Sequence, residues 1–266
     1  MNLEIKSDLL KQFTVIALFI DFEKAFDSIW KKGLIVKLAN LNIKGNILRL
    51  VDNFLTNRKV RLNINGEIGE MRDSKEYGLP QGSALSPVLF KLYLLDILEE
   101  INGRSDIQFY KFADDGTVKM RNESTQMCME TFEEMMILLH NWTRRWGMVI
   151  NCQPNKTEFM CMGVGDGNTG AIPYRIKLGD KEIKQVAETK VLGLTMDKEL
   201  SYTSHSNIVY KNIAGKWANI CKYSNRHWGF NQHVIRQIAS TFLLSSINYA
   251  GMVWMNSRNT TELEKL

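Results

Sequence analysis

The run Thr14 to Ile20 (TVIALFI) is apolar at nearly every position, which predicts a short central strand buried on both faces. It ends abruptly at Asp21, and the following FEKAFDSIW reads as a helix. Residues 73–82 are polar and interrupted by Gly78, Pro80 and Gly82, so no regular element is expected there. Ser86-Pro87 then predicts an N-cap with proline at the first helical position. The helix it opens (VLFKLYLLDILEEI) carries Leu89, Tyr93, Ile97 and Ile101 on one stripe.

Two further strands, Ile107–Phe112 and Thr117–Met120, are predicted on either side of Ala113-Asp114-Asp115-Gly116. A helix from about Ser124 to Arg145 follows, with Phe132, Met135, Leu139 and Trp142 repeating at helical spacing as a core stripe. Strand-like pieces at Glu158–Met162 and Lys190–Thr195 come next, separated by the turn-rich VGDGNTG. The order strand, helix, loop, helix, hairpin, helix, strand has no internal repeat. It predicts an α+β domain whose antiparallel sheet is backed on one face by helices. The uncharged run Gln237–Ser257 is long enough to raise the question of a membrane. Its Ser240, Thr241, Ser245, Ser246 and Asn248 favour a buried amphipathic helix instead, with no membrane partner.

Composition narrows the class. With 266 residues and 44% hydrophobic content the chain can bury a real core, as one large domain or two small ones. A net charge of +5 admits nucleic acid as a partner and excludes little. The distribution says more. Lys31 to Arg61 holds eight Lys or Arg against one acid, Asp52. Ser204 to Arg236 holds five and no acid, interleaved with Tyr210, Trp217, Tyr223, Trp228 and Phe230. Such segments can neutralise phosphates and stack on bases. The plainer alternative, favoured for each segment alone, is a solvated helix face whose aromatics point into a core. Cys128, Cys152, Cys161 and Cys221 form no CxxC pair or disulfide-framework spacing, and Cys221 with His227 and His233 matches no zinc-finger spacing. Free cysteines and a polar opening of twelve residues predict an intracellular protein without a secretory signal.

Asp114-Asp115 is the first candidate for chemistry. Taken alone, Asp-Gly between two hydrophobic strands is a hairpin turn in which the acid merely favours the turn. A second isolated acid, Asp21, ends the buried strand. If hairpin and strand pair, three carboxylates converge on one sheet edge, where their repulsion would force protonation unless divalent cations intervene. Hard oxygen ligands suit Mg²⁺, which also shares its sphere with substrate phosphates.

Three segments then carry a resemblance: Phe19-Ile-Asp21-Phe-Glu-Lys-Ala-Phe26-Asp27, Gly78-Leu-Pro-Gln81-Gly82-Ser-Ala-Leu-Ser86-Pro87, and Phe112-Ala-Asp114-Asp115. In this order and separation they resemble successive motifs of reverse transcriptases, and more narrowly those of jockey-like non-LTR retrotransposons. The resemblance implies a polymerase palm with partial fingers (about 31–77) over residues 1–200, and a mainly helical partial thumb over 201–266. It implies two Mg²⁺ ions, with Mn²⁺ an admissible substitute, held by Asp21, Asp114, Asp115 and the main-chain carbonyl of Phe22. It also implies an RNA template, a DNA primer or target, and dNTPs as partners, in the cytoplasm or nucleus. Phe112 stands where tyrosine is commoner, which leaves the metal ligands intact.

Further roles follow from the same resemblance. Phe26 would lie under the incoming sugar and exclude a 2′-hydroxyl; without the motif it reads as a helix core residue. Gln81 and Gly82 would line the nucleotide and template pocket; in isolation they read as a break before a helix. Gly147 through Lys156 resembles the next palm motif, making Lys156 a proton donor to departing pyrophosphate, or else a surface lysine in a loop. Leu192, Gly193 and Leu194 fall in a segment (Val191–Asp197) that resembles the primer-grip hairpin, and Ile247–Trp254 resembles the thumb. At the N-terminal end the chain departs from the family. About twenty residues precede Asp21, and Lys6 and Lys11 do not match the basic fingers motif that clamps the triphosphate. The chain therefore reads as a fragment, without the endonuclease domain such elements carry upstream. The rival readings are a catalytically inactive nucleic-acid-binding remnant and, more remotely, a metal-dependent nuclease or phosphohydrolase, in which the Gly78–Pro87 motif has no job.

Overall fold

The computed structural model describes residues 1–74, 76–112, 115–163, 174–223 and 229–255. Helix α1 (Asn2–Leu10) precedes strand β1 (Thr14–Ile20), and helices α2 (Lys31–Asn40) and α3 (Gly45–Leu55) follow. Four two-residue strands come next: β2 (Lys59–Val60), β3 (Asn63–Ile64), β4 (Glu67–Ile68) and β5 (Arg72–Asp73). Then come α4 (Ser86–Tyr93), α5 (Leu95–Asn102), β6 (Ile107–Phe112), β7 (Asp115–Asn122), α6 (Thr125–Trp146) and β8 (Glu158–Met162). The chain continues with β9 (Ile176–Leu178), β10 (Lys181–Gln185), β11 (Glu188–Val191), β12 (Leu194–Asp197), α7 (Thr203–Lys222) and α8 (Gln232–Ala239). A π-helical turn (Ser240–Leu244), α9 (Ser245–Asn248) and α10 (Gly251–Trp254) complete it.

The main sheet has the order β6-β7-β1-β8-β10-β9. Its ladders are antiparallel apart from β8 with β10. The α+β reading therefore holds, with one parallel pair added. β1 has the expected bounds, and all seven of its residues are buried. Strand alternation sorts them. Ile16, Leu18 and Ile20 join the core built with the α4–α5 stripe and the α6 stripe of Phe132, Met135, Leu139 and Trp142. Val15, Ala17 and Phe19 join a second core with Ile5 of α1, Met196 of β12, Val209 of α7 and Trp254. Helices thus back one face fully, while α1, the β11–β12 hairpin and the C-terminal segment cover part of the other. Double coverage explains why TVIALFI shows no polar alternation.

Several expectations are corrected. Residues 22–30 form turns, not a helix. Their main-chain groups go to distant partners instead: Glu23 N–H to Val149 C=O, and the carbonyls of Phe26 and Ile29 to the amides of Leu79 and Gly78. Ser86 is the first helical residue rather than the cap, its hydroxyl donating to the Pro80 carbonyl at 2.6 Å. The long helix after it breaks at Leu94 into α4 and α5. Asp115 and Gly116 belong to β7, paired with Phe112 and Lys111, and so do not form an Asp-Gly turn. Lys190–Thr195 spans a hairpin, not one strand. The VGDGNTG segment lies outside the described residues. Gln237–Ser257 is not one buried helix: α8, the π turn and α9 hold no buried residue, and Phe242, Leu244 and Tyr249 are exposed. No helix among the described residues is long and apolar enough to cross a membrane.

The basic segments divide. In the first, Lys37 is buried, its ammonium bound to Asp96 Oδ1 at 2.6 Å and set over the Trp146 ring at 3.8 Å; burial, partly offset by Asp96, pushes its pKa down to about 8. In the second, Tyr210, Trp217, Tyr223 and Phe230 are exposed instead of pointing into a core, while Trp228 and His227 lie outside the described residues. Cys128 and Cys161 are buried as expected, but Cys221 is exposed.

Helix α1 is fastened to β7 by charge. Asp8 is buried, with Lys119 Nζ at 2.7 Å and Arg121 Nη1 at 2.5 Å. Burial alone would raise its pKa, but those two cations outweigh it and hold the carboxyl below its usual range. Replacing Lys119 by Met deprives a buried carboxylate of its buried partner, so urea denaturation should show a loss of about 3–5 kcal/mol. An unchanged midpoint would mean that Arg121 alone satisfies Asp8.

Candidate active site

β1 and β7 carry two acids to the same end of the sheet. Their last registered pair is Ile20 with Gly116, so Asp21 and Asp115 are the next residues along the two strands. Alternation turns both toward the face of Phe19 and Thr117, where Glu158 of β8 pairs opposite Phe19. There they line a cleft of about 360 Å³ with Lys156 and the β11–β12 hairpin. Gly116 keeps the ladder close, since a Cβ there would meet the Phe109 ring at 2.9 Å. Asp114 lies outside the described residues. Among the described ones no three carboxylate, imidazole or thiolate groups cluster as ligands.

Asp21 is held by residues that sequence reading passed over. Asn151 Nδ2 donates to Asp21 Oδ2 at 3.0 Å, and the Asn151 N–H donates to the Asp21 carbonyl at 2.8 Å. The Asp21 N–H donates to Thr157 Oγ1 at 3.2 Å. Lys156 Nζ stands 3.7 Å from the same Oδ2. Oδ1 takes no hydrogen bond or ion pair among the described residues. Phe22 pairs with Ile150 through bonds made by its neighbours, so its own carbonyl points away from that ladder and takes no hydrogen bond among the described residues. Carboxylate and carbonyl oxygens of this kind fit a hard divalent cation. Polar residues in a short loop carry no signal of such a role by themselves, which is why Asn151 and Thr157 were missed.

Phe26, Gln81 and Gly82 do not line that cleft. They line an adjoining depression of about 650 Å³, which begins at Phe22. Phe26 is half-buried and stacked on Phe90 at 4.9 Å, and Gln81 Nε2 donates to Asp27 Oδ1 at 3.0 Å. Gly78 adopts φ +94, and a Cβ there would meet the Asp27 carbonyl oxygen at 3.2 Å, so glycine is favoured. Leu192 and Gly193, both with positive φ, form the two-residue tip of the β11–β12 hairpin, and Leu194 opens β12. The Tyr249 hydroxyl donates to the Leu192 carbonyl at 2.8 Å, docking the C-terminal segment onto that tip.

The model of the family described as reverse transcriptase (RNA-dependent DNA polymerase) matches residues 6–196. The chain belongs to the reverse transcriptase family. It is 27% identical over 201 residues to the RNA-directed DNA polymerase from mobile element jockey of Drosophila melanogaster, covering 73% of this chain and 21% of that protein. It is 25% identical over 244 residues to the Pol polyprotein from type-1 retrotransposable element R1 of Bradysia coprophila, covering 91% and 23%. The chain thus spans about a fifth of these relatives, and its reverse transcriptase domain is of the non-LTR retrotransposon kind. Apo telomerase from Candida tropicalis shares the fold, with a TM-score of 0.52 at 12% identity over 95% of this chain and 45% of that one. The α+β sheet described above is accordingly a polymerase palm. The reverse transcriptase family works with divalent metal ions.

In this reverse transcriptase domain the hairpin is also tied to the second core by His205, a buried ring edge-on to Trp254 at 5.2 Å. Its Nδ1 accepts the Thr195 N–H at 3.3 Å, which requires that nitrogen to be unprotonated. Burial, and then the charge of Lys190, hold the imidazole below its ordinary 6.5. A depressed histidine contributes fully above its unfolded pKa, and its contribution falls as pH drops below 6.5, because the unfolded chain then binds the proton first. Stability should therefore decline between about pH 7.5 and 5.5 more in the native protein than in His205→Gln, as read by denaturant midpoints. Equal slopes would remove His205 as the cause.

Proposed function

We propose that this chain is the palm-centred part of an RNA-directed DNA polymerase that extends a DNA primer on an RNA template with dNTPs, inside the cell. The placement of Asp21 and Asp115 in one cleft at the shared end of β1 and β7 carries this reading. In it, residues 1–200 are the palm with partial fingers at about 31–77, and residues 201–266 are part of the thumb. Asp21, Asp114, Asp115 and the Phe22 carbonyl hold two Mg²⁺ ions. When bound, these ions activate the primer 3′-hydroxyl and neutralise charge on the departing pyrophosphate.

The remaining roles belong to the chain's own side chains. Asn151 and Thr157 fix Asp21 so that Oδ1 faces the cleft. Lys156, exposed at the cleft wall, donates a proton to a pyrophosphate oxygen as it leaves. Phe26, braced by Phe90, denies space to a 2′-hydroxyl and so selects deoxynucleotides. Gln81 and Gly82 border the same depression and meet the nucleotide and template. The hairpin tip of Leu192, Gly193 and Leu194 holds the primer end.

Primer extension on an RNA template with Mg²⁺ and dNTPs tests the reading. Asp114→Asn should lower the rate by roughly a hundredfold or more while RNA binding stays within about twofold. Phe26→Ala should cut the preference for deoxy- over ribonucleotides by roughly tenfold or more. Extension that survives Asp114→Asn would refute the metal assignment. An unchanged sugar preference would return Phe26 to the role of a core residue.

A further inference from the structure

Glu158 is an anomaly in the cleft. It lines the same walls as Asp21 and Asp115, yet it is only 4% exposed. A carboxylate is seldom buried without a cation, and no ion pair to Glu158 occurs among the described residues. Its oxygens are both engaged by neutral donors instead. Oε1 accepts the Asn155 N–H at 3.0 Å, and Oε2 accepts the Thr189 hydroxyl at 3.1 Å. Asp21 Oδ1 takes no hydrogen bond among the described residues, whereas each oxygen of Glu158 already accepts one.

The two donors belong to different walls. Asn155 sits in the loop from Asn151 to Thr157, whose two ends grip Asp21 and which carries Lys156. Asn155 adopts φ +62, a strained conformation that asparagine tolerates and that its bond to Glu158 secures. Thr189 sits in β11, part of a separate two-stranded ladder. Just ahead of the hairpin, the Val186 N–H donates to the Phe159 carbonyl and continues the β8–β10 pairing. The Glu158–Thr189 bond is the next tie toward the cleft.

We propose that Glu158 is a positioning residue, a buried strut that sets the spacing between the primer-holding hairpin and the loop that carries Lys156 and grips Asp21. This rests on the polymerase reading above for its effect on rate, but the mechanical coupling does not. A misplacement of about 1 Å between reacting groups can cost on the order of a hundredfold in rate, so a tie of this kind acts on the chemical step more than on binding.

Chemistry separates a strut from a charge. In Glu158→Gln the amide oxygen can accept from Asn155 while its nitrogen donates to the Thr189 hydroxyl, which rotates to receive it. Glu158→Ala loses both ties, and Thr189→Val loses only the one to the hairpin. Single-nucleotide addition from a saturated RNA–primer complex should fall about tenfold or more in Glu158→Ala and Thr189→Val, with the dNTP KM within about twofold, and Glu158→Gln should recover most of the loss. In the free protein, amide hydrogen exchange over residues 188–191 should quicken in Glu158→Ala and Thr189→Val and stay near native in Glu158→Gln. Unchanged exchange in Thr189→Val, or Glu158→Gln as impaired as Glu158→Ala, would overturn the strut. If the native chain extends no primer, the polymerase reading fails for this chain, and the exchange experiment still decides the coupling.

Discussion

The whole arrangement depends on one constraint, the burial of β1 on both faces between β7 and β8. Seven consecutive buried residues leave this strand no freedom of register, because a one-residue slip would exchange its two cores. The first polar residue after it must therefore emerge at a fixed point. That residue is Asp21, and the same register brings Asp115 to the same cleft. The site is a consequence of where hydrophobic pairing stops.

Around that point the structure spends polar side chains on orientation. Asn151 and Thr157 hold Asp21, and Glu158 joins their loop to the hairpin at Thr189. Asp21 keeps Oδ1 without a hydrogen bond among the described residues, whereas the buried Glu158 has both oxygens engaged. Farther out, Asp8 with Lys119 and Lys37 with Asp96 pin α1 and α2 to the palm by internal charge. These pairs add rigidity to a frame whose apolar packing is already extensive.

Much of this frame is legible in the sequence, for physical reasons that differ by element. β1, β8 and α6 follow from hydrophobic runs and helical spacing, since packing there decides the structure. The turn segment 22–30 has a composition that suits a helix, but its main-chain groups find partners around Val149 and Gly78, far away in the chain. Asp21, Asp115, Phe26 and Gln81 could be named from motif resemblance. That Phe26 and Gln81 occupy an adjoining depression could not, because it depends on how the loop after Gly78 folds back. Asn151, Thr157 and Glu158 look like ordinary loop and strand residues, and their role exists only in three dimensions. The burial of Lys37 within the basic segment is not legible, because burying a lysine needs the aromatic rings and carboxylate that distant segments supply.

In the proposed function, Asp21 and Asp115 share a divalent cation at the end of β1 and β7. Paramagnetic broadening by Mn²⁺, read on the backbone amides of the protein with dNTP and template–primer bound, tests it most directly. The amides of Ile20, Asp21, Phe22, Asp115 and Gly116 should broaden first, and Asp21→Asn should abolish the effect. Broadening centred elsewhere, or unchanged in Asp21→Asn, would contradict it.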